Sequence, residues 1–121
     1  MKPSSGKTIT KTKKCRSGSL LSSRHELPFV LCFWYKLENG YTFSDLSPSN
    51  VKVFQRFLDK VSKMTFVQAD KQYLRETDRQ DRFEGMQVVH YAVTDRFRVH
   101  GVIADNRFMV LRLDPKHKFH G

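Results

Sequence analysis

Two cysteines, one tryptophan and four prolines are all that 121 residues carry of those types, and the first 25 positions hold no acidic side chain. Cys15 lies in a polar stretch and Cys32 inside an apolar run. With no third or fourth thiol there is neither a disulfide framework nor a thiolate metal set, which points to reduced thiols and a cytoplasmic setting. The longest apolar run, LPFVLCFWY, covers residues 27–35 and is about half of the ~20 residues that a membrane-spanning helix needs. No small-residue cleavage site follows it, so no secretory leader is expected either.

Acid is scarce: 22 Lys and Arg stand against 12 Asp and Glu, a formal charge of +10. The excess is uneven. Residues 1–25 contain Lys2, Lys7, Lys11, Lys13, Lys14, Arg16 and Arg24 with no acid, whereas the remainder sets 15 basic residues against all 12 acidic ones. Residues 1–24 are rich in Ser, Thr, Gly and Lys without apolar periodicity, and read as a disordered basic arm in front of one domain over 25–121. Such an arm either keeps the chain in solution or lies along phosphates, where Lys13, Lys14 and Arg16 are the nearest cations. Ten Phe and 39% hydrophobic residues supply enough apolar surface for a real core.

Residues 28–37 read as a strand covered on both faces, since Phe29, Leu31 and Phe33 alternate with Val30, Cys32 and Trp34. Asn39-Gly40 suits a type I′ turn, with a return strand near 41–44. The period then changes. Ser47-Pro48 is an N-cap followed by a pre-set first helical position, and Phe54, Phe57, Leu58, Val61 and Met64 recur at helical spacing as a core stripe. Thr65 and Gln68 have capping-box spacing, predicting a second helix to about Arg75. After the polar break TDRQDR come three β-like runs, MQVVHYAVT, FRVHGVIA and FMVLRLD. The expected fold is α+β: a small antiparallel sheet of three to five strands with two tandem helices on one face.

The last two runs carry Arg98, His100 and Arg112 in otherwise apolar surroundings. A two-residue loop at Asp105-Asn106 would place His100 opposite Leu111 and mix both faces. A three-residue loop, Asp105 to Arg107, sets His100 opposite Arg112 and Arg98 opposite Asp114. The favoured second register gives one apolar face of Phe97, Val99, Gly101, Ile103, Met109, Leu111 and Leu113, and turns the polar groups outward into a groove. An Arg98–Asp114 cross-strand pair, worth roughly 0.2–1 kcal/mol, is the plain structural account of that arrangement. The functional account notes Lys116, His117 and Lys118 just beyond. Imidazole can act as general acid or base near neutrality, and arginine grips phosphate with paired hydrogen bonds. Together these groups fit metal-independent cleavage of RNA. Neither a metal nor a cofactor is expected: His117 and His120 stand three apart, but no further ligands complete a set. The parity of the turn near Asp95 leaves open whether His90 or Tyr91 shares the face of His100.

The helix pair SPSNVKVFQRFLDKVSKMTFVQADKQYL, the hairpin FRVHGVIADNRFMVLRLD and the terminal DPKHKFH resemble the layout of the RelE/ParE superfamily of bacterial toxins over about residues 27–120. The resemblance implies a toxin-type endoribonuclease (mRNA interferase-like) acting on RNA at the ribosome and restrained by an acidic antitoxin protein. It would make Arg98 and Arg112 phosphate ligands, with His100 beside them, and His117 the late acid or base. Two other readings stand beside it. One is a non-catalytic nucleic-acid-binding module using Lys116, Lys118 and the arm, with Tyr91, Phe108 or His100 stacking on bases. The other is a protein-interaction or inhibitor protein.

Overall fold

Ser47 and Thr65 open the two helices as their spacing predicts. In the computed structural model, which describes residues 26–76 and 78–119, Asn50 N donates to Ser47 Oγ at 3.1 Å and Ser47 N to Asn50 Oδ1 at 3.2 Å. These bonds satisfy orphan amides at the start of α1, Pro48–Val61. The Thr65–Gln68 pair does the same, at 3.3 and 2.9 Å, for α2, Phe66–Tyr73. That helix stops two residues short of the expected Arg75, because Leu74 turns to extended backbone and Leu74–Arg75 forms strand β2. The basic arm, with Lys13, Lys14 and Arg16, lies outside the described residues, as does His120.

The domain is α+β. Strands β5 (Val89–Ala92), β6 (Arg98–Ala104) and β7 (Arg107–Asp114) form the expected antiparallel meander, and β2 pairs antiparallel with β5. The sheet order is β1-β7-β6-β5-β2, with β1 (Leu31–Cys32) parallel to β7, so the five-stranded sheet is mixed. A parallel pair needs a crossover, and here the helices and the whole meander supply it.

The 28–37 strand shrinks to those two paired residues. The chain leaves the sheet edge at Phe33 and returns at Glu38, whose N–H donates to Leu111 O at 3.0 Å; Leu113 N then donates to Tyr41 O at 2.9 Å. Val30, Phe33 and Trp34 are exposed, not covered on both faces, Trp34 at 77%. At Asn39-Gly40 only Gly40 takes a positive φ, +90°, so the turn is not type I′. A 3-10 turn at Phe43–Asp45 stands where the return strand was expected.

One sheet face meets the helices. Phe54, Phe57 and Val61 of α1 and Phe66 and Ala69 of α2 bury against Tyr91, Phe97, Val99, Phe108, Val110 and Leu113. Each fully buried large apolar side chain contributes about 1.5–3 kcal/mol. The opposite face is covered by a hairpin that the polar break concealed: β3 (Arg82–Phe83) and β4 (Met86–Gln87) join through Glu84-Gly85, both at positive φ. Phe83 and Met86 of this hairpin pack on Val88, Val102, Met109 and Leu111. No helix among the described residues is long and apolar enough to cross a membrane.

β6 and β7 use both registers weighed from the sequence. Asp105 and Asn106, at φ 54° and 61°, form a two-residue turn, and Ala104 to Gly101 pair accordingly with Arg107 to Val110. A bulge between His100 and Gly101 leaves Leu111 unpaired and restores His100 opposite Arg112 and Arg98 opposite Asp114. The extra residue reverses the faces on the turn side. Phe108 and Val110 join the helical core, and Met109 and Leu111 go beneath the hairpin. Phe108 is 0% exposed and is closed to base stacking. Gly101 sits at the crossing, where a Cβ would lie 2.2 Å from Met109 O.

Candidate functional site

Arginine has five N–H donors and no acceptor, so its placement in an interior is decided by what accepts. Arg112, on β7 just past the bulge, is 7% exposed. Its Nη1 and Nη2 donate to Asp81 Oδ2 and Oδ1, each at 3.0 Å, and its Nε donates to Glu38 Oε1 at 2.8 Å. Nη1 also lies 2.9 Å from His100 Nδ1. Since a guanidinium can only donate, His100 Nδ1 is the acceptor, and the ring proton of a neutral His100 is on Nε2, 3.9 Å from Asp114 Oδ2. Burial pulls the Arg112 pKa down, but the hydrogen bonds and charges of Asp81 and Glu38 outweigh it, and the net shift is upward.

Rings enclose the guanidinium. His90 stacks on His100 with centroids 3.9 Å apart and planes 5° apart, which settles the parity question in favour of His90. Phe119 covers the other side, its centroid 3.6 Å from Arg112 Cζ and its edge against His100. Phe119 is itself held by Asp114. That buried carboxylate accepts from Lys118 N at 3.0 Å and Phe119 N at 2.8 Å, folding the terminal segment back over the sheet.

The expected site residues therefore separate. His100 and Arg112 meet, but they face an interior cluster rather than an open groove, and of the expected aliphatic face Phe97, Val99, Ile103 and Leu113 lie on the helix side while Met109 and Leu111 lie under the hairpin. The hairpin and Phe119 cover a sheet face whose covering the sequence reading left out. Arg98 stays opposite Asp114 in register, yet its Nε and Nη2 donate to Asp95 O at 3.1 and 2.8 Å, bracing the β5–β6 turn. Asp114 spends its oxygens on backbone amides. His117 sits half-buried at a positive φ of 54° in the terminal turn, flanked by exposed Lys116 and Lys118. Those two lysines border a pocket of about 190 Å³ shared with Tyr41 and Asp45. Tyr91 is 0% exposed, in the helical core, where its hydroxyl donates to Asp70 Oδ1. It is closed to base stacking, because β5 turns it to the face opposite His90.

Sequence reasoning missed Asp81 and Glu38, the two acids that fix Arg112. Glu84-Gly85 between Phe83 and Met86 was the available signal for the hairpin that delivers Asp81. It also missed a cleft of about 580 Å³ along the sheet edge beside Trp34, Tyr35 and Arg107.

Asp81, His90 and His100 offer ligand atoms all within 4.8 Å of one another, the one metal-capable group among the described residues. The Arg112 guanidinium already occupies both oxygens of Asp81 and Nδ1 of His100. An ion at those atoms would compete with a cation already held there.

Comparison with models of protein families, with curated proteins and with solved structures finds no match.

Proposed function

We propose that this protein binds single-stranded nucleic acid through its phosphates and does not cleave it. The observation carrying this reading is where the acids go. From residue 26 onward the chain has 15 basic and 12 acidic residues. The interior cluster takes Arg112 with Asp81 and Asp114, which leaves 14 basic against 10 acidic, before the seven cations of residues 1–25 are added. Glu38 is tied to Arg112 as well. Lys52, Arg56 and Lys60 are exposed along α1, Lys63 just past its end, and Lys116 and Lys118 at the terminal turn. Cations spread over a surface favour a polyanion at any sequence, through counterion release.

Ribonuclease chemistry asks for an acid, a base and anion-binding cations around one phosphate. His100 and Arg112 are engaged by interior partners and Arg98 by a backbone carbonyl, so that set is not assembled at the surface.

Fluorescence anisotropy with a labelled 12-nucleotide RNA and its DNA counterpart tests the proposal between 50 and 200 mM salt. Binding is expected, with log K falling by about 0.7 per decade of salt for each phosphate contacted, and RNA incubated in EDTA is expected to stay intact. Salt-independent binding or none overturns the phosphate reading. Cleavage abolished by His117→Ala overturns the non-catalytic one.

A further inference from the structure

Trp34 is the chain's one tryptophan, and it is 77% exposed. Leaving the largest apolar side chain in water forgoes most of what its burial contributes. The backbone around it explains how this comes about. The chain detaches from β7 after Cys32 and returns only at Glu38. Tyr35 turns inward, its ring 4.8 Å from Phe83 at 71°, which leaves the adjacent indole pointing away from that contact. The detour opens the cleft of about 580 Å³ between the excursion and the Asp105–Arg107 turn, within the roughly 300–1,000 Å³ of small-ligand sites. Trp34, Tyr35, Ala104 and Met109 line it together with the exposed Asp105 and Arg107.

We infer that this cleft is a base-stacking subsite, taking one unpaired base of a single-stranded nucleic acid on the face of Trp34 with the neighbouring phosphate on Arg107. This rests on the nucleic-acid reading above and names the place where a base is held. Stacking needs an accessible π face, which every base can use, so it is tolerant of sequence. Retention of the strand needs a cation at the rim, and Arg107 is exposed at the turn. Asp105 on the same rim can accept a hydrogen bond from a base, from an exocyclic amine or an imino N–H alike. A protein partner would also cover an apolar surface. The cationic balance of the whole chain and the arginine at the rim favour the polyanion.

The single tryptophan makes the test direct, since emission from the full-length protein reports this cleft and no other. Oligo(A), oligo(C) and oligo(U) 12-mers are titrated at low salt while tryptophan emission and the anisotropy of an end-labelled oligo are followed in parallel. Quenching that saturates with the anisotropy is expected with each oligo. Trp34→Ala is expected to weaken binding by about 5- to 150-fold, the span of one base–aromatic stack, and Trp34→Phe to restore part of it. Arg107→Ala is expected to lower the salt slope by about 0.7. Circular dichroism controls for folding, which a side chain this exposed does not support. Binding with unchanged emission and an unaffected Trp34→Ala variant overturns the cleft while leaving the function standing. No binding by anisotropy overturns the function itself. Self-association lost in Trp34→Ala, with no quenching by any oligo, overturns the inference in favour of a second copy of the chain.

Discussion

Arg112 and Asp81 are joined by two parallel hydrogen bonds of 3.0 Å across 31 positions of sequence. This fork ties the last strand to the hairpin that covers the sheet face away from the helices, and the pair sits inside, with both side chains 8% exposed. A buried pair of this kind is costly to break from one side, because the remaining charge is left without compensation.

Asp81→Ala is therefore expected to destabilise the fold by about 3–5 kcal/mol. Glu38, which is 45% exposed, also binds Arg112, and Glu38→Ala is expected to cost about 1 kcal/mol or less, since solvent screens that contact. Urea unfolding of the two variants measures the difference. Equal losses would show that burial does not set the worth of these contacts.

Gly101 stands at the bulge with Met109 O 2.2 Å and Phe108 Cε1 2.7 Å from where a Cβ would be. The first of these is backbone and cannot rotate away. Gly101→Ala is expected to cost about 1–3 kcal/mol by overpacking, read as a lower denaturation midpoint with an unchanged slope.

Tyr91→Phe removes one hydroxyl from the bond to Asp70 and nothing from the ring packing against Phe29 and Phe108. A hydrogen bond to a charged group contributes about 1.5–3 kcal/mol, and a loss of that order is expected. Affinity for RNA is expected to stay unchanged, since the side chain is wholly inside. A changed affinity with unchanged stability would reverse both statements.

Hydrogen bonds from the backbone and then the side chain of Thr42 hold the Asp45 carboxyl below its ordinary value, with a smaller pull from Lys118. A carboxyl whose pKa is lowered on folding stabilises above its unfolded pKa, and that contribution disappears as pH falls through the folded one. Asp45→Asn is expected to be less stable than the parent at pH 7, with the gap closing as pH falls through the lowered folded-state value of the carboxyl. Thermal unfolding across that range checks it. A gap independent of pH would place the effect in packing rather than ionisation.

The local devices were legible in the residues. Ser47 and Thr65 cap their helices with bonds that reach three positions along the chain, and the Phe54–Phe57–Val61 stripe follows from a period of 3.6. The hairpin register was half legible. Asp105-Asn106 admitted two pairings, and the structure uses one beside the turn and the other past Leu111. A bulge has no signature in alternation, because it exists to break alternation.

The two helices, the β5–β7 meander and the meeting of His100 with Arg112 were set within short stretches of chain, where caps, periods and turns act over a few residues. Which charges lie inside was not. Arg112 looks identical in the sequence whether it faces a phosphate or a carboxylate. Only folding brings Asp81 and Glu38, 31 and 74 positions away, to its donors. Trp34 reads as core by its neighbours, and becomes surface because the edge strand beside it pairs for just two residues. Burial is a property of what the rest of the chain places overhead, and no local pattern records it.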